Sequence, residues 1–220
     1  MRAPRSLGFT LVELLVTITI IVVLAGIALP VMQNIRERGK ATQCLSNMRQ
    51  IAIGFLQFAQ EQNGRLPNRV DSGQKWPELV NEHLNEPDVF ACPSDPGNWK
   101  LANKDPISST EHNTSYIFNG FNDQGLDQDE TIELRLVGIP NPSETILLGE
   151  QINHRAGPSD GNNFYMDFNE GNHLTALDKT RHSDGANYAF CDGSVRRINA
   201  ADYKDELWLV DKTAGIPTPP

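Results

Sequence analysis

The sequence predicts an α+β fold: one long amino-terminal helix that first spans a membrane and then packs on a small antiparallel sheet with long loops. Three observations carry this. A run of about 23 residues from Phe9 to Val31 holds a single ionisable side chain, Glu13, and matches the hydrocarbon core of a bilayer at about 1.5 Å per helical residue. From Gln33 to about Gln62 no proline occurs, and Ala41, Cys44, Leu45, Met48, Ile51, Ala52, Phe55, Phe58 and Ala59 recur at the helical period. Downstream, short β-rich runs are punctuated by Asn-Gly and Asp-Gly pairs.

The first element is unusual for its one carboxylate. An ionisable group within a membrane span is costly unless it finds a partner, and a plain anchor has no use for it. Arg2 and Arg5 precede the run, while Arg36, Arg38 and Lys40 follow it, so the positive-inside count alone leaves the orientation open. A plain single-pass anchor and a secretory signal cut after Ala28 are the competing readings. In the continuation, Gln43, Ser46, Asn47, Arg49, Gln50 and Gln57 fall largely on the face opposite the apolar stripe. Asn63-Gly64 supplies the stop, and Pro67 follows.

The remainder reads as one globular domain. Trp76 to Leu84 is a short helix begun at Trp76-Pro77, and Val89 to Pro93 is a strand end or loop. Strands are expected at Ser115 to Asn119, Glu144 to Gly149, Asn187 to Cys191 and Ser194 to Ile198. The last two form a hairpin across Asp192-Gly193, where a two-residue type I′ turn is expected. Loops 120–130 and 153–180 carry many of the acids, and the proline-rich end, 215–220, reads as a flexible tail.

Composition narrows the function classes. Asp and Glu number 28 against 19 Lys and Arg, a net charge of −9, and no basic patch is interleaved with aromatics, so no nucleic-acid partner is evident. The three cysteines include no Cys-x-x-Cys pair, so a structural zinc site is not indicated. Gly-x-Ser-x-Gly, a phosphate loop, His-Glu-x-x-His and a dinucleotide fingerprint are all missing, and the chain is read as no enzyme. A hydrolase centred on His182 is the weakest reading, because no nucleophile accompanies it.

A short basic leader ending in Gly8, then Phe9-Thr10-Leu11-Val12-Glu13, then an apolar helix containing Pro30, resembles the type IV prepilin leader shared by pilins and type II secretion pseudopilins. The resemblance implies cleavage after Gly8 by the membrane-bound prepilin peptidase and N-methylation of the new amino terminus, Phe9. It also implies that Glu13 pairs with the amine of a neighbouring subunit during filament assembly, and that Pro30 shapes the helix. It places the leader in the cytoplasm and the domain outside. The implied division is a leader over 1–8, a transmembrane and assembly helix over 9–32, its amphipathic continuation over 33–63, an extracytoplasmic domain over 64–214 and the tail over 215–220.

At the other end, His182 is followed after nine residues by Asp192-Gly193, with Arg181, Asn187, Phe190 and Val195 around them. With Cys44, Cys92-Pro93 and a strand ending in Glu150, the stretch resembles a domain found behind prepilin-type leaders in large bacterial paralogue sets. That resemblance carries an architecture and no reaction. Cys44 and Cys92 are the candidate disulfide partners in an exported domain, two unpaired buried thiols being the alternative. Glu150, His182 and Asp192 offer donors for a divalent cation, and Asp160, Asp167 and Asp184 offer loop oxygens of the kind some secretion pseudopilins use for calcium. No calcium-loop spacing is present, and the simpler reading is that Asp192 serves the turn while His182 packs where its strand begins. His83, His112, His154 and His173 read as surface residues.

The expectation is therefore a structural subunit of a type IV pilus-like or secretion pseudopilus filament. It would be a single-pass protein of the cytoplasmic membrane, partnered by prepilin peptidase and by like or related pilin-type subunits, with no cofactor required. The alternative is a membrane-tethered module whose loops bind a glycan, a metal or a protein.

Overall fold

The structure is a computed structural model that describes residues 10–67, 74–95, 114–120, 135–152, 165–166 and 176–210, with only the backbone for Pro30, Tyr165 and Met166. Gly8 and Phe9, the loop acids Asp160 and Asp167, three of the five histidines (His112, His154 and His173) and the tail lie outside the described residues. The chain divides into two compact units, Met1–Gly39 and Lys40–Pro220.

Helix α1, Leu11–Glu61, is a single α-helix running through Pro30. In the first unit its apolar side chains, from Leu11 to Ile35, are exposed. Among the described residues it is the one helix long and apolar enough to cross a membrane. In the second unit the predicted stripe becomes core: Cys44, Met48, Ile51, Ala52, Phe55, Phe58 and Ala59 are buried. The helix ends where Asn63 and Gly64 both take positive φ, 57° and 84°, and the Gly64 N–H reaches back to the Ala59 carbonyl at 2.6 Å. An αL closure of this kind satisfies carbonyls that the last turn leaves open.

Helix α2, Trp76–Leu84, begins as expected with proline in its first turn, and the Glu78 carboxylate accepts from the Lys75 N–H at 3.1 Å. A Cβ at Gly54 would stand 2.6 Å from Val80 Cγ1, so glycine there lets α2 approach α1. A 3₁₀ turn, Pro87–Phe90, then leads into Cys92.

The sheet comprises β1 (Tyr116–Asn119), β2 (Ile146–Glu150), β3 (Tyr165–Met166), β4 (Gly185–Phe190) and β5 (Val195–Asn199), in the order β3-β1-β2-β4-β5. Four strands pair antiparallel, and β3 adds a two-residue parallel edge beside β1 that the sequence reading lacks. Side-chain alternation sorts the two faces. Tyr116, Phe118, Leu148 and Ala189 pack with the stripe of α1, where Phe55 stacks on Phe118 at 4.9 Å between centroids. Ile117, Ile146, Tyr188 and Phe190 pack on the opposite face under Trp208 and Leu209. A register shift between Ile146 and Leu148 puts Leu147 and Leu148 in the same helix-side cluster.

Three sequence expectations are corrected here. The β4–β5 connection is a three-residue loop: Phe190 pairs with Ser194, the Gly193 N–H donates to the Phe190 carbonyl at 2.9 Å, and only Gly193 has positive φ, 82°. That is a type I turn closed by an αL glycine, instead of a two-residue type I′ turn. Asn47, assigned to the polar face of the helix, is buried because its amide donates to the Ala91 carbonyl at 2.9 Å. His83, read as a surface residue, is largely covered, with 15% of its side chain exposed: Nδ1 lies 3.5 Å from Glu61 Oε1, and the ring meets Phe58 edge-on.

Candidate functional site

Two places hold the residues that the sequence singles out. The first is the start of α1. Thr10 sits at the N-cap with Glu13 three positions on. Glu13 Oε2 accepts from the Thr10 N–H at 2.9 Å and from its hydroxyl at 2.8 Å, while the Glu13 N–H donates to Thr10 Oγ1 at 3.3 Å. This is a reciprocal capping box, and the Thr-x-x-Glu spacing that encodes it stands in the sequence, where Glu13 is otherwise read only as a group awaiting another subunit.

The second place lies inside the globular unit. The antiparallel pairing of β2 with β4 sets the end of one against the start of the other, so Glu150 meets the segment that precedes Gly185. His182 is fixed there by its N–H, which donates to the Gly185 carbonyl at 2.9 Å. Its Nε2 lies 2.8 Å from Glu150 Oε1 and 3.7 Å from Cys92 Sγ. Cys44 and Cys92, at a sequence separation of 48, are joined by a disulfide with Cα atoms 5.0 Å apart, which ties α1 to the segment after the 3₁₀ turn. A closed loop of this size gives about 4 kcal/mol in the chain-entropy model.

Glu150 is wholly buried yet well satisfied: the Asn187 N–H donates to its Oε2 at 2.9 Å, and the Asn187 amide lies 3.4 Å from its Oε1. Against this cluster, burial pushes the Tyr116 phenol well above its usual range, and the Glu150 carboxylate adds to the shift. Its hydroxyl therefore stays protonated and donates to the Cys44 carbonyl at 3.4 Å.

Asp192 is absent from this cluster, which corrects the Glu150–His182–Asp192 metal set. The whole of β4 lies between His182 and Asp192, roughly 20 Å of extended chain. Asp192 instead serves the hairpin, where its Oδ1 accepts from the Ser194 N–H at 2.8 Å. Gly193 brings that hairpin onto α1, since a Cβ there would stand 2.8 Å from Leu56 Cδ1. Asp184, one of the loop acids, is paired with Arg197.

Arg181, which sequence reasoning leaves without a role, is a buried organiser beside His182. Its guanidinium reaches Asp95 at 3.3 Å, Asp178 at 3.2 Å, the Ser115 carbonyl at 3.2 Å and the Gln151 carbonyl. The Asp95 contact is an ion pair lying outside hydrogen-bond geometry. No local pattern announces it, because Asp95 and Arg181 are far apart in the chain. A groove of about 420 Å³ is lined by Gln43, Asn47, Gln50, Ala91 and Pro93, among them the sequence neighbours of the two buried cysteines.

Compared with known families, the chain carries the prokaryotic N-terminal methylation motif over residues 4–29, the signature of prepilin-type amino termini in type IV pilins and pseudopilins. No curated protein and no solved structure matches the chain. The motif overlaps the amino-terminal part of α1, the helix that among the described residues is long and apolar enough to cross a membrane.

Proposed function

We propose that this chain is a structural subunit of a pilus-like or pseudopilus filament, cut after Gly8 by prepilin peptidase, methylated on Phe9 and assembled through α1. The observation that carries the reading is the methylation motif running without a break into a helix whose first turn bears Glu13. The physical logic is exchange of partners. In the isolated chain Glu13 is held by Thr10 of its own helix. Cleavage creates a cationic amine on Phe9, one residue before that cap, and a sister subunit's amine offers the carboxylate a charge in place of neutral donors. Pairing in a low-dielectric setting is the strong form of this interaction.

The role is structural rather than catalytic. The Lys40–Pro220 unit is the extracytoplasmic domain, in which the Cys44–Cys92 disulfide ties α1 to the segment after the 3₁₀ turn. Intact-mass spectrometry of the chain recovered from its native membrane tests the reading. The expected species starts at Phe9 and carries one added methyl group. A chain still bearing Met1, or one that starts after Ala28, overturns it.

A further inference from the structure

We propose that Cys44, Cys92, Glu150 and His182 form a four-coordinate site for a zinc-class divalent cation once the disulfide between the two cysteines is reduced. One donor atom from each of the four side chains lies within 4.8 Å of all the others, and all four residues are buried. In a tetrahedral zinc site built from thiolates, an imidazole and a carboxylate, neighbouring donors stand about 3.3–3.8 Å apart. Cys92 Sγ and His182 Nε2 already stand at 3.7 Å. Glu150 Oε1 and His182 Nε2, now at 2.8 Å, need to part by about half an ångström to admit the ion. The S–S bond is the covalent obstacle.

The donor set selects the ion. Two thiolates, one imidazole and one carboxylate are soft to borderline ligands that suit zinc, whereas calcium and magnesium take oxygen. The surroundings already orient the carboxylate: Asn187 holds Oε2 through its N–H at 2.9 Å, leaving Oε1 turned toward His182. Outer contacts of this kind are what fix a ligand for its metal. A groove lined by Gln43, Ala91 and Pro93 runs past the sequence neighbours of both cysteines, while the cysteines themselves are buried.

The chemistry balances with a dithiol as the reductant. It gives up two electrons and two protons and becomes a disulfide, while the Cys44–Cys92 bond becomes two thiols. The cation then replaces the two thiol protons, which leave to solvent, and forms two metal–sulfur bonds. Loading also moves a proton: the one Nε2 shares with Glu150 Oε1 in the disulfide form passes by way of solvent to Nδ1, so that the Nε2 lone pair faces the ion. While the disulfide stands, neither sulfur is a thiolate and the site is closed, so metal loading and disulfide formation exclude one another.

The test uses the full-length chain in detergent, reduced anaerobically with a phosphine, which consumes one water and becomes a phosphine oxide as the two thiols form. Cobalt(II) is titrated in, followed by zinc. The expected result is one cobalt per chain with thiolate-to-cobalt charge-transfer absorption and a tetrahedral ligand-field spectrum, both erased by zinc and both missing from the unreduced chain. Cys191→Ser keeps the spectrum, while Cys44→Ser and Cys92→Ser each change it, and Glu150→Gln and His182→Ala weaken zinc binding at least about tenfold. The decisive spectrum comes from the unaltered chain, so no variant has to fold for the idea to fail. A reduced chain that gives no charge-transfer band, whether folded or not, overturns the proposal. So does equal binding by the oxidised chain, or loss of the spectrum in Cys191→Ser. None of these readouts involves filament assembly, so the fate of the site and the fate of the filament reading are separable.

Discussion

His182 Nε2 lies 2.8 Å from Glu150 Oε1 with both side chains sealed from solvent, 2% and 0% exposed. The pair clamps the start of β4 to the end of β2. Truncating one partner leaves the other buried and short of a hydrogen bond, which costs far more than the pair itself contributes. His182→Ala is expected to destabilise the folded chain by about 3–5 kcal/mol. Glu150→Gln keeps the shape and one acceptor and is expected to cost about 1–3 kcal/mol. Urea unfolding of the full-length chain in detergent, with the disulfide intact, measures both. The double variant should cost less than the sum of the two, the mark of direct coupling. A His182→Ala change worth under about 0.5 kcal/mol would show that the contact is not structural.

Gly193 and Leu56 make a second testable contact. Alanine at 193 meets two obstacles: a φ of 82° and a Leu56 methyl 2.8 Å from the new Cβ. Gly193→Ala should cost about 1–3 kcal/mol. Adding Leu56→Ala should relieve the steric part and leave the backbone part, so that the pair is less than additive. Full additivity in the same unfolding assay would mean that the hairpin does not rest on the helix.

What was legible in the sequence follows from how local each signal is. Helix α2 begins and ends where Trp76-Pro77 and Leu84 place it, because its start is written within four residues. The stripe of α1 from Cys44 to Ala59 is periodic and becomes core. Strand ends shift by one or two residues, and β3 is invisible, since two residues held by backbone pairing to an edge leave no pattern. In the candidate site, Glu150 and His182 can be grouped by chemistry, but only the β2–β4 pairing brings them together, and that same strand carries Asp192 away. Asn47 and Arg181 are harder still. Each looks like surface until the Ala91 carbonyl or Asp95 arrives from elsewhere in the chain.

Alkaline pH is expected to weaken the fold through groups that burial keeps protonated. The Cys191 thiol is pushed up to about 12 from an ordinary 9.0, chiefly by burial and further by Asp192. Above pH 9.0 the unfolded chain releases this proton while the folded chain keeps it, so the unfolded state gains and stability falls between 9.0 and about 12. Below 9.0 the contribution is fully present. Burial raises Tyr116, Tyr188 and Tyr203 in the same sense, extending the loss above the ordinary tyrosine value of 10.0. Thermal unfolding across pH 8 to 10 should show the decline starting near 9, and Cys191→Ala should delay it toward the tyrosine range. The same protonated thiol should resist iodoacetamide in the native chain at pH 8 and react after unfolding. Rapid labelling of the native chain would contradict this burial.

The amino-terminal prediction turns on what Glu13 is for. If its work were only to cap the helix, glutamine would serve, since a capping box accepts either side chain at that position. Glu13→Gln retains an oxygen for the Thr10 N–H and hydroxyl and removes the charge alone. Thr10→Ala does the reverse: it keeps the charge and removes the N-cap hydroxyl, at about 1 kcal/mol of helix stability. The filament reading therefore expects the two variants to separate. Glu13→Gln should still be cut after Gly8, because the leader is untouched, yet disappear from the sedimentable filament fraction. Thr10→Ala should be cut and incorporated, with at most a modest loss of yield. Immunoblots of precursor, mature chain and filament fractions read all three states. Assembly of Glu13→Gln at the level of the unaltered chain would assign the carboxylate to capping and leave the proposed pairing with the Phe9 amine without support.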